Sequence, residues 1–333
     1  MKDIVIAGAG IMGRLLAWQL ARDGHRVRVI DPAADAADPR AAAFTAAGML
    51  SPLAEREQAG EEVAALGWRS LQLWPAIAEA LGQPGLVRTE GSLLLAHAAD
   101  GGAAERVLAR LGDGPERLNR ECLQMLEPML APQLQAWWLP GEGQVLPREL
   151  LAALVAQARD VDWRWGRAAK HVQPHAVMLD DGERLDADLV IDTRGLGARP
   201  ELPALRGVRG EILWLHAPGV RLQRPVRLLH PRHRVYLVPR PGDLIVVGAS
   251  EIESEDRSPV SLRSAVELMA AAQSVLPALA EARLVHLETH LRPALPDHRP
   301  LLMREPGLLR INGLFRHGWL LAPALAQEAR HGL

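Results

Sequence analysis

The spacing of hydrophobic residues over the first 31 positions predicts a strand, a helix and a second strand. Residues 4–7 form a continuously apolar run, which is typical of a strand buried on both faces of a parallel sheet. From residue 11 to about residue 22 the apolar positions recur at helical spacing, and Asp23-Gly24 is expected to end that helix. A second strand is predicted at residues 27–30 and ends at Asp31. The N-terminal region is therefore predicted to be a complete strand-helix-strand unit.

The rest of the chain separates into helical segments, continuously apolar runs and short alternating segments. The alternating segments are separated by turns rich in Gly and Pro, a pattern that favours a mainly antiparallel sheet. The predicted helices span residues 61–81, 147–159 and 319–330, the predicted buried strands span 189–192 and 308–313, and the alternating strands span 92–95, 212–215, 234–238 and 244–247.

Composition narrows the class of protein. A chain of 333 residues is long enough for two domains and a large buried cofactor. The 38 Lys and Arg residues nearly balance 40 Asp and Glu residues, so we expect neither a nucleic-acid partner nor binding to an anionic membrane. Cys122 is the one cysteine, which favours a reducing compartment. No leader peptide or membrane-length apolar segment is recognisable, and we expect a cytoplasmic protein that could form a homo-oligomer.

A glycine-rich turn joins the first predicted strand to the first helix. Gly8, Gly10 and Gly13 have the G-x-G-x-x-G spacing, which provides a tight turn, close approach to a pyrophosphate and close packing of helix on strand. Asp31 follows at the distance where an acidic side chain accepts hydrogen bonds from a ribose and repels a 2′-phosphate. These features predict a dinucleotide site that disfavours NADP, and by themselves leave NAD and FAD both open.

The order of the segments predicts an interrupted domain. The fold class is α/β, with a Rossmann-like, doubly wound and mainly parallel sheet interrupted by a mainly antiparallel α+β domain. The predicted dinucleotide-binding domain comprises residues 1–82, 145–205 and 291–333, and the predicted substrate-binding domain comprises residues 83–144 and 206–290.

Five blocks, the first of which contains the glycine-rich turn, carry a resemblance to a known family. They are residues 6–13 (IAGAGIMG), 46–50 (AAGML), 236–240 (YLVPR) with 247–250 (VGAS), 291–297 (LRPALPD) and 315–323 (FRHGWLLAP). In order and spacing these blocks resemble the glycine oxidase branch of the D-amino-acid oxidase family of flavoproteins. The resemblance implies non-covalent FAD between the N-terminal unit and the C-terminal turn, with the isoalloxazine ring facing a substrate pocket under the antiparallel sheet.

The motif and the resemblance together give a set of cofactor-binding candidates. The segment at 46–50 is expected to line the flavin, and the turn at 313–318 is expected to present N–H groups to its pyrimidine side. Met49 could instead be a packing residue and His317 a turn residue. The candidates are Gly8, Gly10, Ile11, Met12, Gly13, Asp31, Ala47, Gly48, Met49, Thr193, Gly195, Gly313, Arg316, His317, Gly318, Trp319 and Leu320.

The resemblance also implies three catalytic candidates and an activity. Arg292 would bind a substrate carboxylate through its two-pronged guanidinium, Tyr236 would donate a hydrogen bond to it, and Arg316 would add positive charge. The implied reaction is oxidation of the amine of glycine or another small amino acid by hydride transfer, giving an imine or 2-oxo acid, ammonia and hydrogen peroxide. No catalytic acid or base is required. Without the resemblance, Arg292 could be a surface residue, Tyr236 a core residue and Arg316 a cap on backbone carbonyls.

Three departures from the family pattern keep alternatives open. Arg194 replaces a small residue near the expected course of FAD, where it could bind a phosphate or a carboxylate, and Glu251 lies at the expected pocket edge. The only lysines are Lys2 and Lys170, so the lysine that assists oxygen chemistry in sarcosine oxidases has no evident counterpart. The alternatives are a dehydrogenase with another acceptor, a flavoprotein that modifies a partner protein, and, less well supported, an NAD-dependent dehydrogenase. The histidines do not cluster, so no metal is predicted.

Overall fold

The structure is a computed structural model that describes residues 1–112, 114–229 and 234–333, without the side chains of residues 57, 58 and 234. The helices are α1 (Ile11–Arg22), α2 (Pro52–Ala80), α3 (Gly101–Leu111), α4 (Arg120–Leu126), α5 (Pro147–Gln157), α6 (Leu262–Val275) and α7 (Gly318–Arg330). Short 3-10 helices lie at Ala42–Thr45, Pro84–Leu86, Ala98–Asp100, Gly195–Ala198 and Pro277–Glu281.

The strands fall into a mainly parallel sheet, a mainly antiparallel sheet and two small sheets. They are β1 (Asp3–Ala7), β2 (Arg26–Asp31), β3 (Met49–Leu50), β4 (Val87–Arg88), β5 (Ser92–Ala96), β6 (Glu116–Leu118), β7 (Gln135–Leu139), β8 (Gly143–Val145), β9 (Asp162–Trp165), β10 (Ala169–Gln173), β11 (Ala176–Leu179), β12 (Arg184–Asp186), β13 (Leu189–Asp192), β14 (Arg206–His216), β15 (Val226–Leu229), β16 (Arg234–Arg240), β17 (Leu244–Gly248), β18 (Arg283–Ala294), β19 (Leu301–Glu305) and β20 (Leu308–Asn312).

A six-stranded sheet forms the first layer, in the order β19-β20-β13-β1-β2-β9. Its pairings are parallel except that between β19 and β20. One face packs on α1, α5 and α7 through a large apolar core, and the other is covered by the three-stranded sheet of β10, β11 and β12. Because parallel strands place all their carboxyl ends at one edge, the turns after β1, β2 and β13 meet there.

An eight-stranded sheet forms the second layer, in the order β18-β14-β17-β16-β15-β5-β7-β6. Its pairings are antiparallel except that between β15 and β5. One face packs against α6, and the other carries Ile212, Trp214 and Val238 against Ala47. The predicted α/β fold class, with one mainly parallel and one mainly antiparallel sheet, is confirmed.

The helix predicted at 61–81 is longer than expected. α2 begins at Pro52 and continues to Ala80, with a kink at Gly60, whose φ is +81°. Gly60 interrupts the helical periodicity, so the eight residues that precede it gave no helical signal in the sequence. This first part of α2 carries Glu55, which enters the candidate site described below.

Within the described residues, none of the helices combines the length and the apolar character that crossing a membrane requires.

Candidate active site

A cavity of about 1190 Å³ lies between the six-stranded and eight-stranded sheets. This is larger than the ~300–1,000 Å³ typical of sites for drug-sized ligands, and so suits a dinucleotide and a substrate together. All the predicted site residues line this cavity except Gly13 and Gly313. The tertiary structure thus brings together residues from the N-terminal unit, the antiparallel sheet and the C-terminal turn.

The glycine-rich turn is fixed by close backbone contacts. A Cβ on Gly8, whose φ is +100°, would lie 2.6 Å from the carbonyl oxygen of Thr193. The turn after β1 and the turn after β13 can therefore approach each other this closely only if residue 8 is glycine. The Thr193 hydroxyl donates to the carbonyl oxygens of Ala7 and Gly8 at 3.1 and 2.9 Å. A Cβ on Gly13 would lie 1.8 Å from the Gly8 carbonyl oxygen. Gly13 therefore allows α1 to approach the turn instead of lining the cavity.

Gly10 and Asp31 are exposed to the cavity in a manner that suits a dinucleotide. A Cβ on Gly10 would meet nothing within 4 Å, which leaves an open path for a pyrophosphate to the start of α1. The Asp31 carboxylate accepts from the N–H groups of Ala9 and Ala33 at 2.5 and 2.8 Å, which fixes its orientation. Each oxygen retains a lone pair that a ribose hydroxyl could use. The protein thus forms a cradle into which FAD fits.

Arg194 does not offer its charge to the cavity. Its guanidinium donates to both carboxylate oxygens of Asp192, at 2.9 and 2.8 Å, and to Glu201 at 2.6 Å. Its side chain is only 6% exposed. Of the roles considered for Arg194, the structure shows that it binds carboxylates. These are the side chains of Asp192 and Glu201.

The C-terminal turn places the start of α7 against the cavity. Gly313 has a φ of +68° and packs against Leu295 behind the lining, because a Cβ would lie 2.8 Å from its Cδ1. His317 precedes α7, so Gly318, Trp319 and Leu320 form the first turn. The N–H groups of a first helical turn lack intrahelical acceptors and carry a partial positive charge. This turn could therefore stabilise negative charge on a bound ring.

Tyr236 and Arg292 lie over glycines on the cavity face of the antiparallel sheet. Tyr236 is paired with Gly248 across β16 and β17, and a Cβ on Gly248 would lie 2.6 Å from the tyrosine hydroxyl. A Cβ on Gly210 would lie 2.3 Å from Cζ of Arg292. The two glycines leave room for both side chains to extend across the sheet towards the same part of the cavity.

Arg292 carries a charge that the protein does not balance directly. Its Nη1 donates to the carbonyl oxygen of Ser250 at 3.1 Å, and among the described residues no carboxylate forms an ion pair with it. Burial lowers the pKa of Arg292 and raises that of Tyr236, so the tyrosine hydroxyl remains protonated and available as a donor. The pair is suited to bind an anion.

Arg316, in contrast, is already paired. It donates to Glu55 and, at 3.1 Å, to Glu251, so two carboxylates offset the positive charge expected from this residue. Although burial alone would raise it, the charges of Arg316, His317 and Arg227 lower the pKa of Glu55 to about 2. Glu55 lies 3.5 Å from Arg227 and 3.6 Å from Nδ1 of His317.

Two residues of this cluster were missed from the sequence. Glu55 lies in the part of α2 that Gly60 separates from the periodic pattern, and its one signal is an acidic side chain in a first helical turn. Arg227 is the cross-strand neighbour of Tyr236, a pairing that only the sheet register shows. Lys2 and Lys170 do not line the cavity. In the described parts of the chain, no cluster of three or more His, Cys, Asp or Glu side chains could hold a metal ion.

We expect His317 to make stability depend on pH between about 6.5 and 4. Burial lowers its pKa to about 4, against the attraction of Glu55. The unfolded chain then binds more protons than the folded chain in this range, so stability falls as pH falls, by about 3 kcal/mol at about 1.36 kcal/mol per pKa unit. Urea denaturation of the apoprotein at several pH values should show this slope and its loss in His317→Gln. The same slope in the variant would assign it to another group.

Comparison with known proteins gives concordant matches. A model of the family described as FAD dependent oxidoreductase (DAO) matches residues 3–331. A protein of Rhizobium etli, named as a candidate thiamine biosynthesis oxidoreductase, ThiO, is 40% identical over 331 residues, covering 99% of this chain and 96% of the relative. The resemblance inferred from the five sequence blocks is therefore confirmed.

Two solved structures extend the similarity to the whole fold. The crystal structure of glycine oxidase from Geobacillus kaustophilus has a TM-score of 0.85 and 26% identity, covering 98% of this chain and 92% of that one. That of iminodiacetate oxidase from Chelativorans sp. BNC1 has a TM-score of 0.81 and 27% identity, covering 97% and 93%.

Proposed function

The chain belongs to the DAO family of FAD-dependent oxidoreductases, and on that premise we propose that it oxidises the amine of glycine or another small amino acid. The observation that carries this proposal is Arg292, a cavity-lining guanidinium with no carboxylate partner among the described residues, close to a tyrosine hydroxyl. A guanidinium fork and a phenolic donor match the two oxygens of an amino-acid carboxylate. Similarity to glycine oxidase supports a small substrate.

The proposal gives FAD a defined position among the residues of the cavity. The glycine-rich turn and the start of α1 would hold the pyrophosphate, Asp31 would hold a ribose, and the start of α7 would face the ring. When bound, FAD accepts a hydride from the α-carbon of the substrate. The NAD-dependent alternative is not supported, because the family of this chain uses FAD.

The protein's own contribution is to orient the substrate. Arg292 and Tyr236 fix the carboxylate at two points, which restricts rotation of the α-carbon relative to the ring. The Tyr236 hydroxyl has a raised pKa and donates without losing its proton. Because the carboxylates of Glu55 and Glu251 are engaged by Arg316, we propose no general base, and the amine would be bound in its neutral form.

Oxygen is the proposed acceptor, and one observation favours a second candidate. Neither lysine of the chain lines the cavity, so no lysine ammonium is available there to assist oxygen chemistry. This favours a dehydrogenase that passes electrons to a different acceptor.

Anaerobic mixing of the holoprotein with glycine, sarcosine and a panel of D-amino acids tests the proposal. Loss of the oxidised-flavin absorbance with glycine, followed by rapid recovery in air with peroxide formation, would support an oxidase. Loss without rapid recovery would support the dehydrogenase. If no free amino acid changes the absorbance, the proposed substrate class is wrong, and a side chain of a partner protein becomes the substrate to test.

Tyr236→Phe should weaken substrate binding and leave the cofactor bound. Removing a hydrogen bond to a charged group costs about 1.5–3 kcal/mol, so KM should rise roughly 10- to 150-fold. FAD content and kcat should change much less, because the hydroxyl acts on substrate and transition state alike. Steady-state kinetics with the best substrate measures both. Unchanged KM would remove the hydroxyl from the carboxylate site.

A further inference from the structure

The strand that carries Tyr236 also carries a buried arginine that substrate binding does not use. Arg240 lies four residues further along β16, on the same face of the sheet, and is 9% exposed. Burial lowers its pKa to about 10, so it remains charged at neutral pH. The carboxylate of Glu149 attracts this charge, but among the described residues no carboxylate lies close enough to form an ion pair with it. A buried charge of this kind is costly unless its donors are well used.

The Nη donors of Arg240 link the segment before β3 to β8 and to β16 itself, whereas its buried Nε has no partner among the described residues. Nη2 donates to the carbonyl oxygen of Ala47, and Nη1 donates to Oε1 of Gln144 at 2.9 Å and to the carbonyl oxygen of Pro239 at 2.8 Å. Gln144 is itself paired with Met49 across β3 and β8. Arg240 thus holds the segment before β3 from the side of the antiparallel sheet.

The geometry of the peptide bond then determines where the next N–H group points. The carbonyl of Ala47 and the N–H of Gly48 belong to one planar trans peptide and point in opposite directions. With its carbonyl held by Arg240, this peptide turns the Gly48 N–H away from the sheet. Ala47 and Gly48 line the cavity whereas Arg240 does not.

Gly48 is fixed in this orientation, and its N–H is unused. Its φ is +66°, and its carbonyl oxygen accepts from Val145 at 2.8 Å. A Cβ at this position would lie 2.6 Å from the Val145 carbonyl oxygen. In the described part of the chain, no acceptor receives the Gly48 N–H. Because the Gly48 N–H group is fixed, faces the cavity and has no acceptor in the described part of the protein, its expected acceptor is an atom of a bound ligand.

We propose that Arg240 is a positioning residue for the flavin, which orients and polarises the Ala47–Gly48 peptide so that the Gly48 N–H donates to the edge of the isoalloxazine ring. A charge on the carbonyl side strengthens the N–H dipole on the other side. A buried cation that no carboxylate contacts in an ion pair also favours the negative charge that the ring gains on reduction. Both effects raise the reduction potential of the bound flavin. The proposal needs FAD in this cavity and does not depend on the substrate.

The midpoint potential of the bound flavin tests this role, because a purely structural role would not move it. In Arg240→Met we expect the equilibrium constant for two-electron reduction to fall at least tenfold, a negative shift of about 30 mV. Arg240→Lys, which keeps a charge but has no two-pronged fork, should restore part of the shift. Arg240→Gln provides a second neutral variant if Arg240→Met does not fold. Anaerobic titration of each holoprotein against a reference dye gives the potentials.

Arg304→Met is the matched control. Arg304 also donates to two carbonyl oxygens, those of Glu328 and Ala329 at 3.2 and 2.9 Å, but does not line the cavity or contact the segment around Ala47. Its removal should leave the potential unchanged. A neutral variant at position 240 that binds FAD with the wild-type potential would overturn the proposal, even if its affinity for FAD were reduced.

Discussion

Arg292→Ala is expected to raise KM for the amino-acid substrate by orders of magnitude while FAD remains bound. Truncating one partner of a buried, hydrogen-bonded charge pair costs about 2–5 kcal/mol. This corresponds to a loss in kcat/KM of roughly 30- to 5,000-fold. The guanidinium donates to the carbonyl oxygen of Ser250, and no described carboxylate pairs with it, so its removal leaves no protein carboxylate unpaired. Steady-state kinetics and the flavin spectrum of the purified variant measure the two effects separately.

Arg299→Ala is a suitable control for this experiment. Arg299 lies seven residues away on the chain, forms a 3.1 Å surface ion pair with Glu62 and does not line the cavity. Its removal should change neither KM nor flavin content, because exposed ion pairs contribute little. Arg292→Lys should be intermediate, since an ammonium keeps the charge but loses the fork. Wild-type kinetics in Arg292→Ala would exclude this residue from the substrate site.

Gly13→Ala is expected to abolish stable FAD binding and to destabilise the fold. The new Cβ would lie 1.8 Å from the carbonyl oxygen of Gly8, so α1 and the glycine-rich turn would have to separate. Overpacking in a close-packed core typically costs about 1–3 kcal/mol, and a clash with backbone is at the upper end of that range. The purified variant should contain little FAD, and its urea midpoint should fall. Both follow from absorbance at the flavin bands and from denaturation curves.

Gly10→Ala separates the cofactor effect from the folding effect. A Cβ on Gly10 meets no protein atom within 4 Å, so the apoprotein should keep its stability. The added methyl group would nevertheless occupy the path of the pyrophosphate, and FAD should dissociate more readily. Equal FAD affinity in wild type and Gly10→Ala, measured by equilibrium dialysis, would argue that the pyrophosphate does not approach this turn.

Local sequence patterns predicted secondary structure best for elements whose whole length shows one periodicity. The strand at β1, the helix α1 and the glycine-rich turn follow from apolar runs, helical spacing and the need for glycine at defined positions. α2 shows the limit of such patterns. Gly60 divides this helix, and the periodic pattern predicts only the part after Gly60, so the first part with Glu55 was missed. The positive φ at Gly60 interrupts the helical periodicity, so the sequence pattern does not join the two parts of α2.

The charge state of the site could not be predicted from residue types. Arg316, Arg292 and Arg194 are all arginines near the cavity, yet only Arg292 is without a carboxylate partner among the described residues. The partners of Arg316 and Arg194 include Glu55 and Glu201, whose proximity depends on how the layers pack. Ion pairing therefore distinguishes the three arginines only after folding.

The sequence by itself determined the two kinds of sheet, the glycine-rich turn and, through five spaced blocks, the flavoprotein family of the chain. These properties depend on short-range backbone geometry and on the order of local motifs, and both can be recognised from the residues and their spacing along the chain. The tertiary structure alone decided which charges are balanced, why Gly210 and Gly248 must be glycine, and where the donors of Arg240 are directed. Those properties depend on contacts between residues up to 261 positions apart, which have no local signature because folding brings the two sheets together across one cavity.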